Sequence, residues 1–404
     1  MTASTPPPEL TQGTPFRVRY WPGLDGLRGV AILVVILYHA FLFASPTRSE
    51  LDQGLSPIGS AVWALLRQGQ SGYVGVVVFF ALSGFLITAL LVSERGKSGT
   101  TSFRAFYARR ALRLLPALCL LLVVGAIYAA LRPSAPAAHG YWGDAAATLF
   151  YVMNWVQASH AQFQTHFLSH AWSLSIEEQF YALWPLVFVV LIGRAGDKRI
   201  RALVVVALLA LGSALLRLAM WLRGASITRI YYGLDTRGDA LLIGCLLGLL
   251  VSWGMLPTGR VFDRLVHVAG WLGILALGVI ATLPLHDAHL MYDGLYTVVP
   301  LATVAVILAV VNRPSALLSR VMSVRPLVAI GKVSYGLYLW HFPVFLVLGR
   351  SQTHLSFVPN LILELVVTVA ITVASYNLLE KRFLRLKGRY ASRVRAPHLN
   401  PATV

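Results

Sequence analysis

Charge is what this sequence has least of. Asp, Glu, Lys and Arg make up 12% of its 404 residues, whereas a soluble domain holds roughly 25%. Cysteine is scarce as well, because Cys119 and Cys245 are the only two, and both lie in apolar runs. These shortages exclude an ordinary soluble domain and a disulfide framework, and they predict two buried thiols. We also expect no metal site, because no group of His, Cys and carboxylate residues has ligand spacing.

Apolar residues are abundant instead. They form 57% of the chain and fall into runs near the length of about 20 residues that crosses a hydrocarbon core. We predict an all-α polytopic membrane protein with about ten spans. The predicted spans are 27–43, 73–92, 112–131, 176–193, 202–222, 239–253, 265–283, 296–311, 333–348 and 358–378.

The basic residues predict the orientation of these spans. Lys and Arg concentrate in alternate loops and after the last span, at 94–111, 194–201, 260–264, 313–332 and 381–389. Since cytoplasmic loops carry the excess of Lys and Arg, both termini are predicted to be cytoplasmic. The net charge of +18 then reflects these loops and requires no nucleic-acid partner. No small-residue cleavage site follows the first apolar run, so we expect no cleaved signal peptide.

One apolar segment does not fit this alternation. Residues 145–156 are apolar but short, and a full crossing there would place every later basic loop outside. We therefore predict a re-entrant or interfacial helix at this position.

Ionisable residues inside spans need an explanation, because each costs roughly 2.5–3.5 kcal/mol at mid-membrane on insertion scales. Arg28 and His39 share one face of the first span, since 11 residues at about 100° each nearly complete whole turns. Their separation along the axis is roughly 16 Å. Asp25 falls near the same face and can pair with Arg28. The alternative is that Arg28 only anchors the helix and His39 only packs.

Two further groups of polar residues open predicted spans. Glu177 and Glu178 are adjacent, so they point about 100° apart and cannot share one role. One is expected to cap or pair, as carboxylates at helix N-termini do, and the other to face a cavity. Asp235, Arg237 and Asp239 form a compact cluster, which is either a self-neutralising group of salt bridges or part of a site.

Two more sites complete the set. His341 lies in mid-span after Tyr338, and Pro343 is expected to kink that helix and free a carbonyl. Arg110 and Arg113 stand at the cytoplasmic mouth of the third span. They are either topology signals or ligands for a phosphorylated molecule, which the forked guanidinium binds well.

Together these motifs resemble acyltransferase family 3, the bacterial integral-membrane O-acyltransferases, over nearly the whole chain. The opening LDGLRGVA carries Arg28 and is followed by His39, and five motifs match in order. They are residues 24–39, 78–87, 106–116, 170–185 and 334–343.

The resemblance implies transfer of an acyl group, most often acetyl from cytoplasmic acetyl-CoA, to a hydroxyl of a carbohydrate, glycolipid or glycosylated metabolite. It implies a multi-pass protein of the bacterial plasma membrane. Residues 1–20 are then a disordered cytoplasmic N-terminus, 21–385 the membrane-embedded acyltransferase domain and 386–404 a basic cytoplasmic tail. Some relatives add a C-terminal hydrolase-like domain. This chain stops soon after the last span, so transfer is expected to finish within the membrane domain or with a partner.

A role for each polar residue follows as a hypothesis. His39 is the expected general base, with an acyl-histidine intermediate as the alternative, and Arg28 is expected to contact the donor or help to close the site. Arg110 and Arg113 hold the CoA phosphates, and Glu177 or Glu178 orients His39 or binds the acceptor. The residues expected to bind substrate or line the same cavity are His170, Arg237, Tyr338 and His341.

A different class of protein also fits ten spans with buried His, Arg and Glu residues, namely a proton-coupled transporter in which these residues relay protons. The sequence shows no inverted repeat and no paired broken helices, which weighs against this alternative. A signalling or scaffold membrane protein would leave the buried polar residues unexplained.

Overall fold

The computed structural model describes residues 19–68, 71–160, 163, 165–192, 199–283 and 288–386, and these residues form helices and no strands. The expected N-terminal segment, except residues 19 and 20, and the tail after residue 386 lie outside the described residues. The α-helices are α1 Pro22–Phe43, α2 Arg48–Gln53, α3 Pro57–Leu66, α4 Tyr73–Ser98, α5 Phe103–Leu131, α6 Tyr141–Leu149, α7 Met153–Ser159, α8 Trp172–Ile192, α9 Arg199–Leu222, α10 Ile227–Tyr232, α11 Leu234–Ser252, α12 Arg260–Thr282, α13 Ala288–Leu290, α14 Tyr296–Asn312, α15 Leu317–Met322, α16 Arg325–Lys332, α17 Ser334–Val347, α18 Arg350–Thr353, α19 Phe357–Ser375 and α20 Lys381–Leu386.

Local sequence signals set several helix ends. α1 begins at Pro22, where the missing backbone N–H costs nothing. α4 ends at Ser98 because Gly99 follows it, with a φ of 71° in the left-handed conformation that glycine adopts freely. The Ser102 hydroxyl accepts a hydrogen bond from the Ala105 backbone N–H and so caps the start of α5.

Eight helices in the described chain are long and apolar enough to cross a membrane. They coincide with eight of the ten predicted spans, which confirms the all-α polytopic prediction. The other two predicted spans form α11, which carries three charged residues in its first two turns, and α17, which has only 14 residues. A helix of 14 residues is roughly 21 Å long, shorter than a hydrocarbon core of roughly 30 Å. Both helices are largely buried in the protein.

The outer helices present apolar surface to their surroundings. The apolar windows of α9 and α12 are only 22% and 28% buried inside the protein, whereas that of α4 is 78% buried. Exposed leucine and valine side chains are therefore lipid-facing, and α4 is the central helix. Of the two thiols predicted to be buried, Cys245 is buried but Cys119 is exposed on α5. The prediction was wrong for Cys119 because an apolar run does not say which side of a helix meets lipid.

The short apolar segment folds as two helices, α6 and α7, that meet at Tyr151 with a φ of 55°. At nine and seven residues, both are too short to span. The Gln179 side chain on α8 holds the bend, because its amide donates to the Tyr151 carbonyl at 2.6 Å and to Asn154 Oδ1 at 2.8 Å. The segment thus does not form a membrane-spanning helix, as predicted, and it folds as two short helices instead of one.

Glu50, in α2, contacts the first residue of α18 and the first residue of α19, outside the apolar part of the spans. Burial tends to raise the pKa of Glu50, but hydrogen bonds from Arg350, Thr47 and the Phe357 backbone N–H outweigh it and lower that pKa from 4.5 to about 2. The stabilisation is therefore complete above pH 4.5 and is lost as the pH falls from 4.5 towards 2. In thermal unfolding measured in detergent, the Tm should fall as the pH is lowered through this range, and it should fall less in Glu50→Gln. Identical pH profiles for the two proteins would contradict the prediction.

Candidate active site

The site lies along the contact between α1 and α17. Arg28 Nη2 donates to Ser334 Oγ at 3.4 Å, and His39 Nδ1 lies 3.2 Å from His341 Nε2. Ser334 and His341 are seven residues apart, about two helical turns, so they stand on one face of α17. That face follows the α1 face that carries Arg28 and His39. The predicted common face of Arg28 and His39 is therefore present and has a partner helix.

A cavity of about 250 Å³ opens at the His39 end of α1. Parts of α1, α8, α10 and α14 form its walls together with the π-turn Met291–Leu295. Nine of its 16 lining residues are Phe, Tyr or Trp, and none of the described lining residues is acidic. His39 and His170 both line it. Such a wall combines apolar ring faces with a few polar groups, as in small-molecule sites.

The hydrogen bonds around His39 determine which of its nitrogens carries the proton. His341 Nδ1 faces the Leu337 and Tyr338 carbonyls at 3.0 and 2.8 Å, so it must be the protonated nitrogen. His341 Nε2 is then an acceptor. His39 Nδ1–H donates towards it and to the Val35 carbonyl at 2.9 Å. His39 Nε2 is therefore left unprotonated at the cavity, as a general base requires.

Pro343 positions His170. A proline has no N–H, so the carbonyl four residues earlier, that of Leu339, lacks its helical donor. His170 Nε2–H donates to this carbonyl at 3.1 Å, and the ring stacks on Phe342 at 4.9 Å between centroids. The backbone carbonyl that the sequence predicts to be free of a helical hydrogen bond is thus the acceptor for His170.

Tyr338 and His341 stand behind the cavity. Tyr338 donates from its hydroxyl to the His170 carbonyl at 2.7 Å and accepts from Ser173 at 2.6 Å. His341 is 0% exposed. Neither lines the cavity, which corrects the expected placement. Both stand on the buried face of α17. From there Tyr338 holds the His170 backbone and His341 holds the His39 ring.

Glu177 and Glu178 have separate partners on separate helices, as their adjacency predicts. Ser83 on α4 donates to Glu177 at 2.8 Å, and Arg110 on α5 pairs with Glu178 at 2.6 Å. The Arg110 guanidinium also stacks on Tyr181, 3.2 Å from the ring centroid. Among the described contacts neither carboxylate reaches His39, so the hydrogen-bond partner that orients His39 is His341 instead.

A second cavity of about 210 Å³ lies at the other end of α1. Arg28, Arg113 and Lys332 line it with one carboxylate, Asp25, which accepts a hydrogen bond from Tyr20 at 2.9 Å. The described part of the chain shows no ion pair between Asp25 and Arg28, although the sequence allows one. Arg28 Nε is buried without an acceptor. With three cations and one carboxylate in its lining, this cavity has a net positive charge, which favours anions.

Lys332 is the residue of this cavity that the sequence did not single out. It counted only as part of a basic loop, and its one distinguishing signal is its position two residues before Ser334. Arg110, in contrast, was expected at this site and is engaged by Glu178, while Arg113 lines the cavity. No group of three or more His, Cys, Asp and Glu residues in the described chain has the arrangement of a metal site.

The expected cluster at the start of α11 is divided between different partners. Asp235 pairs with Arg229 and Asp239 with Arg217, whereas Arg237 has no ion pair within the described residues. Arg237 lies instead over the rings of Tyr296 and Tyr231. The cluster does not neutralise itself.

The sequence profile of acyltransferase family 3, described as an acyltransferase domain, matches residues 21–379. The chain is 34% identical over 378 residues to the putative peptidoglycan O-acetyltransferase YrhL of Bacillus subtilis, covering 90% of this chain and 55% of that protein. It is 33% identical to the O-acetyltransferase OatA of Staphylococcus aureus, covering 92% and 58%. It is 31% identical to the peptidoglycan O-acetyltransferase OatA of Listeria monocytogenes, covering 92% and 57%.

The chain spans somewhat more than half the length of these relatives. No solved structure matches it. The match of the family profile extends from the start of α1 into the π-turn Tyr376–Glu380. It includes the residues that line the His39 cavity, those that line the second cavity except Leu384, and every residue that the motifs singled out. The chain therefore belongs to acyltransferase family 3, and residues 21–379 are its acyltransferase domain.

Proposed function

We propose that the chain is a membrane O-acyltransferase that moves an acyl group, most simply acetyl, from acyl-CoA to a hydroxyl of a carbohydrate. The observation that carries the proposal is the pair of cavities at opposite ends of one polar helix face. One presents three cations, and the other presents the unprotonated nitrogen of His39. A thioester donor with phosphates and a sugar acceptor need these two environments.

The cationic cavity would hold the phosphates of the donor. Arg113 and Arg28 offer forked donors and Lys332 a point charge. The acyl end then has to extend roughly 16 Å along α1 to reach His39. The orientation expected from the basic loops places this cavity at the cytoplasmic side, where acyl-CoA is made, and the His39 cavity at the outer side.

The aromatic cavity would hold the acceptor. Ring faces of tyrosine and tryptophan stack on the apolar face of a sugar, and the names of two of the relatives state peptidoglycan as their substrate. The oxygen of the acceptor hydroxyl attacks the thioester carbonyl, and His39 Nε2 takes the proton of that hydroxyl at the same time. The C–S bond then breaks, and the imidazolium returns the proton to the departing thiolate. His341 accepts a hydrogen bond from His39 Nδ1–H throughout, which keeps the ring oriented.

The direct test uses purified protein in proteoliposomes with radiolabelled acetyl-CoA and soluble peptidoglycan fragments. Label should move to the glycan, and free CoA should appear in equal amount. Label that stays on CoA while the glycan moves across the membrane with a proton current would support the transporter alternative instead.

Replacing Arg113 with alanine should raise the KM for acetyl-CoA and change kcat little. Loss of one hydrogen-bonded charge costs roughly 1.5–3 kcal/mol, which is about ten- to hundredfold in affinity. Lys332→Ala should act in the same direction. Arg104→Ala is the matched control, because Arg104 is exposed on the same helix and outside the cavity. An unchanged KM in Arg113→Ala would show that the donor does not bind in this cavity.

A further inference from the structure

Around the first turns of α11, three arginines from three helices, Arg217, Arg229 and Arg237, meet only two aspartates, Asp235 and Asp239. Arg229 donates two hydrogen bonds to Asp235, at 2.9 and 2.6 Å. Arg217 donates to Asp239 at 2.8 Å and to the Thr236 carbonyl at 2.6 Å. These two ion pairs occupy both aspartates.

Arg237 is the cation that remains. It is 2% exposed, and its Nη2 is buried without an acceptor. A buried charge without a counter-charge is strongly unfavourable. The rings of Tyr296 and Tyr231, whose centroids lie 4.3 and 5.3 Å from the guanidinium carbon, offset part of this cost. They supply no negative charge.

Both of these rings also line the cavity that contains His39. None of the described lining residues is acidic, and Arg237, directly behind these two rings, makes no ion pair with any described residue. In a setting with little water its field is weakly screened. An anion placed in the cavity is therefore favoured, and a cation is disfavoured.

We infer that the acceptor carries a negative charge near its reacting hydroxyl, as a carboxylate or a phosphate, and that Arg237 supplies the counter-charge. The inference rests on the proposed function, because it assigns the acceptor to the His39 cavity. It deepens that function by limiting the acceptors to anionic glycans. Arg237 then determines specificity, while His39 performs the proton transfer.

The test compares acceptors that differ only in charge. N-acetylmuramic acid is paired with its carboxamide, and N-acetylglucosamine 1-phosphate with N-acetylglucosamine. Wild type should prefer at least one charged member by about tenfold in kcat/KM, since a hydrogen bond to a charged group has about this effect. The pair that shows the preference identifies carboxylate or phosphate. In Arg237→Gln the charged-to-neutral ratio should fall close to one, and in the exposed control Arg223→Gln it should not change.

Binding provides a second readout that does not depend on catalysis. Trp172 lines the cavity, so tryptophan fluorescence can follow titration with the same four sugars. The charged sugar should bind about tenfold more tightly to wild type and lose this advantage in Arg237→Gln. Equal binding of charged and neutral sugars by wild type, or a preference that persists in Arg237→Gln, would overturn the inference. Charge-selective binding without acetyl transfer would keep Arg237 as the counter-charge of a bound anionic sugar and would reject the proposed function.

Discussion

His39→Gln will lower kcat of acyl transfer by roughly 10²–10⁴-fold, the usual contribution of a general base. Glutamine can still donate to the Val35 carbonyl, but it offers no basic nitrogen to the cavity. Binding of acetyl-CoA should be unchanged, because the cationic cavity lies at the other end of α1. The measurement is single-turnover transfer of labelled acetyl alongside equilibrium binding of acetyl-CoA.

His341→Asn separates positioning from proton transfer. It removes the acceptor of the His39 Nδ1–H hydrogen bond but leaves His39 in place. We expect a smaller loss of kcat than in His39→Gln. The dependence of kcat on pH should also shift, because His39 then carries its proton without the hydrogen bond to His341. A His39→Gln protein with near wild-type kcat would show that another group accepts the proton.

Gly84→Ala will cause a large loss of stability for the addition of a single methyl group. α4 and α11 approach each other closely at two reciprocal points. A Cβ on Gly84 would overlap the Leu241 carbonyl, and one on Gly244 would overlap the Ala81 carbonyl. Backbone atoms cannot move aside as a side chain can, so the helices must separate. Overpacking typically costs about 1–3 kcal/mol, and this site should lie at or above that range.

The control for Gly84→Ala is Gly212→Ala. Gly212 is also in a membrane helix, α9, but a Cβ there meets nothing within 4 Å. Its substitution should be neutral or stabilising by up to about 1 kcal/mol through helix propensity. Thermal unfolding in detergent, followed by tryptophan fluorescence, compares the two. Adding Gly244→Ala to Gly84→Ala should cost less than the sum of the single changes, because the helices are already apart. Equal stability of Gly84→Ala and Gly212→Ala would contradict the close packing of α4 against α11 at Gly84.

Hydropathy and helical periodicity predicted the parts of the site that depend on local sequence. Arg28 and His39 share a face because 11 residues fill whole turns of one helix. Pro343 frees the Leu339 carbonyl because the missing N–H is a property of proline itself. The sequence offered no comparable signal for Lys332, Tyr231 or Tyr296, since basic and aromatic residues at helix ends are common in membrane proteins.

The sequence by itself determined the membrane class, the apolar runs, the short segment that does not span and the face shared by Arg28 and His39. Tertiary structure decided which polar groups meet. His39 is oriented by His341, 302 residues away, and Glu177 is bonded by Ser83, 94 residues away. It also decided that three arginines compete for two aspartates at α11 and that, among the described residues, Arg237 is the one of the three without an ion pair. Hydropathy and helix periodicity are properties of neighbouring residues, whereas the choice of a counter-charge depends on which helices pack together.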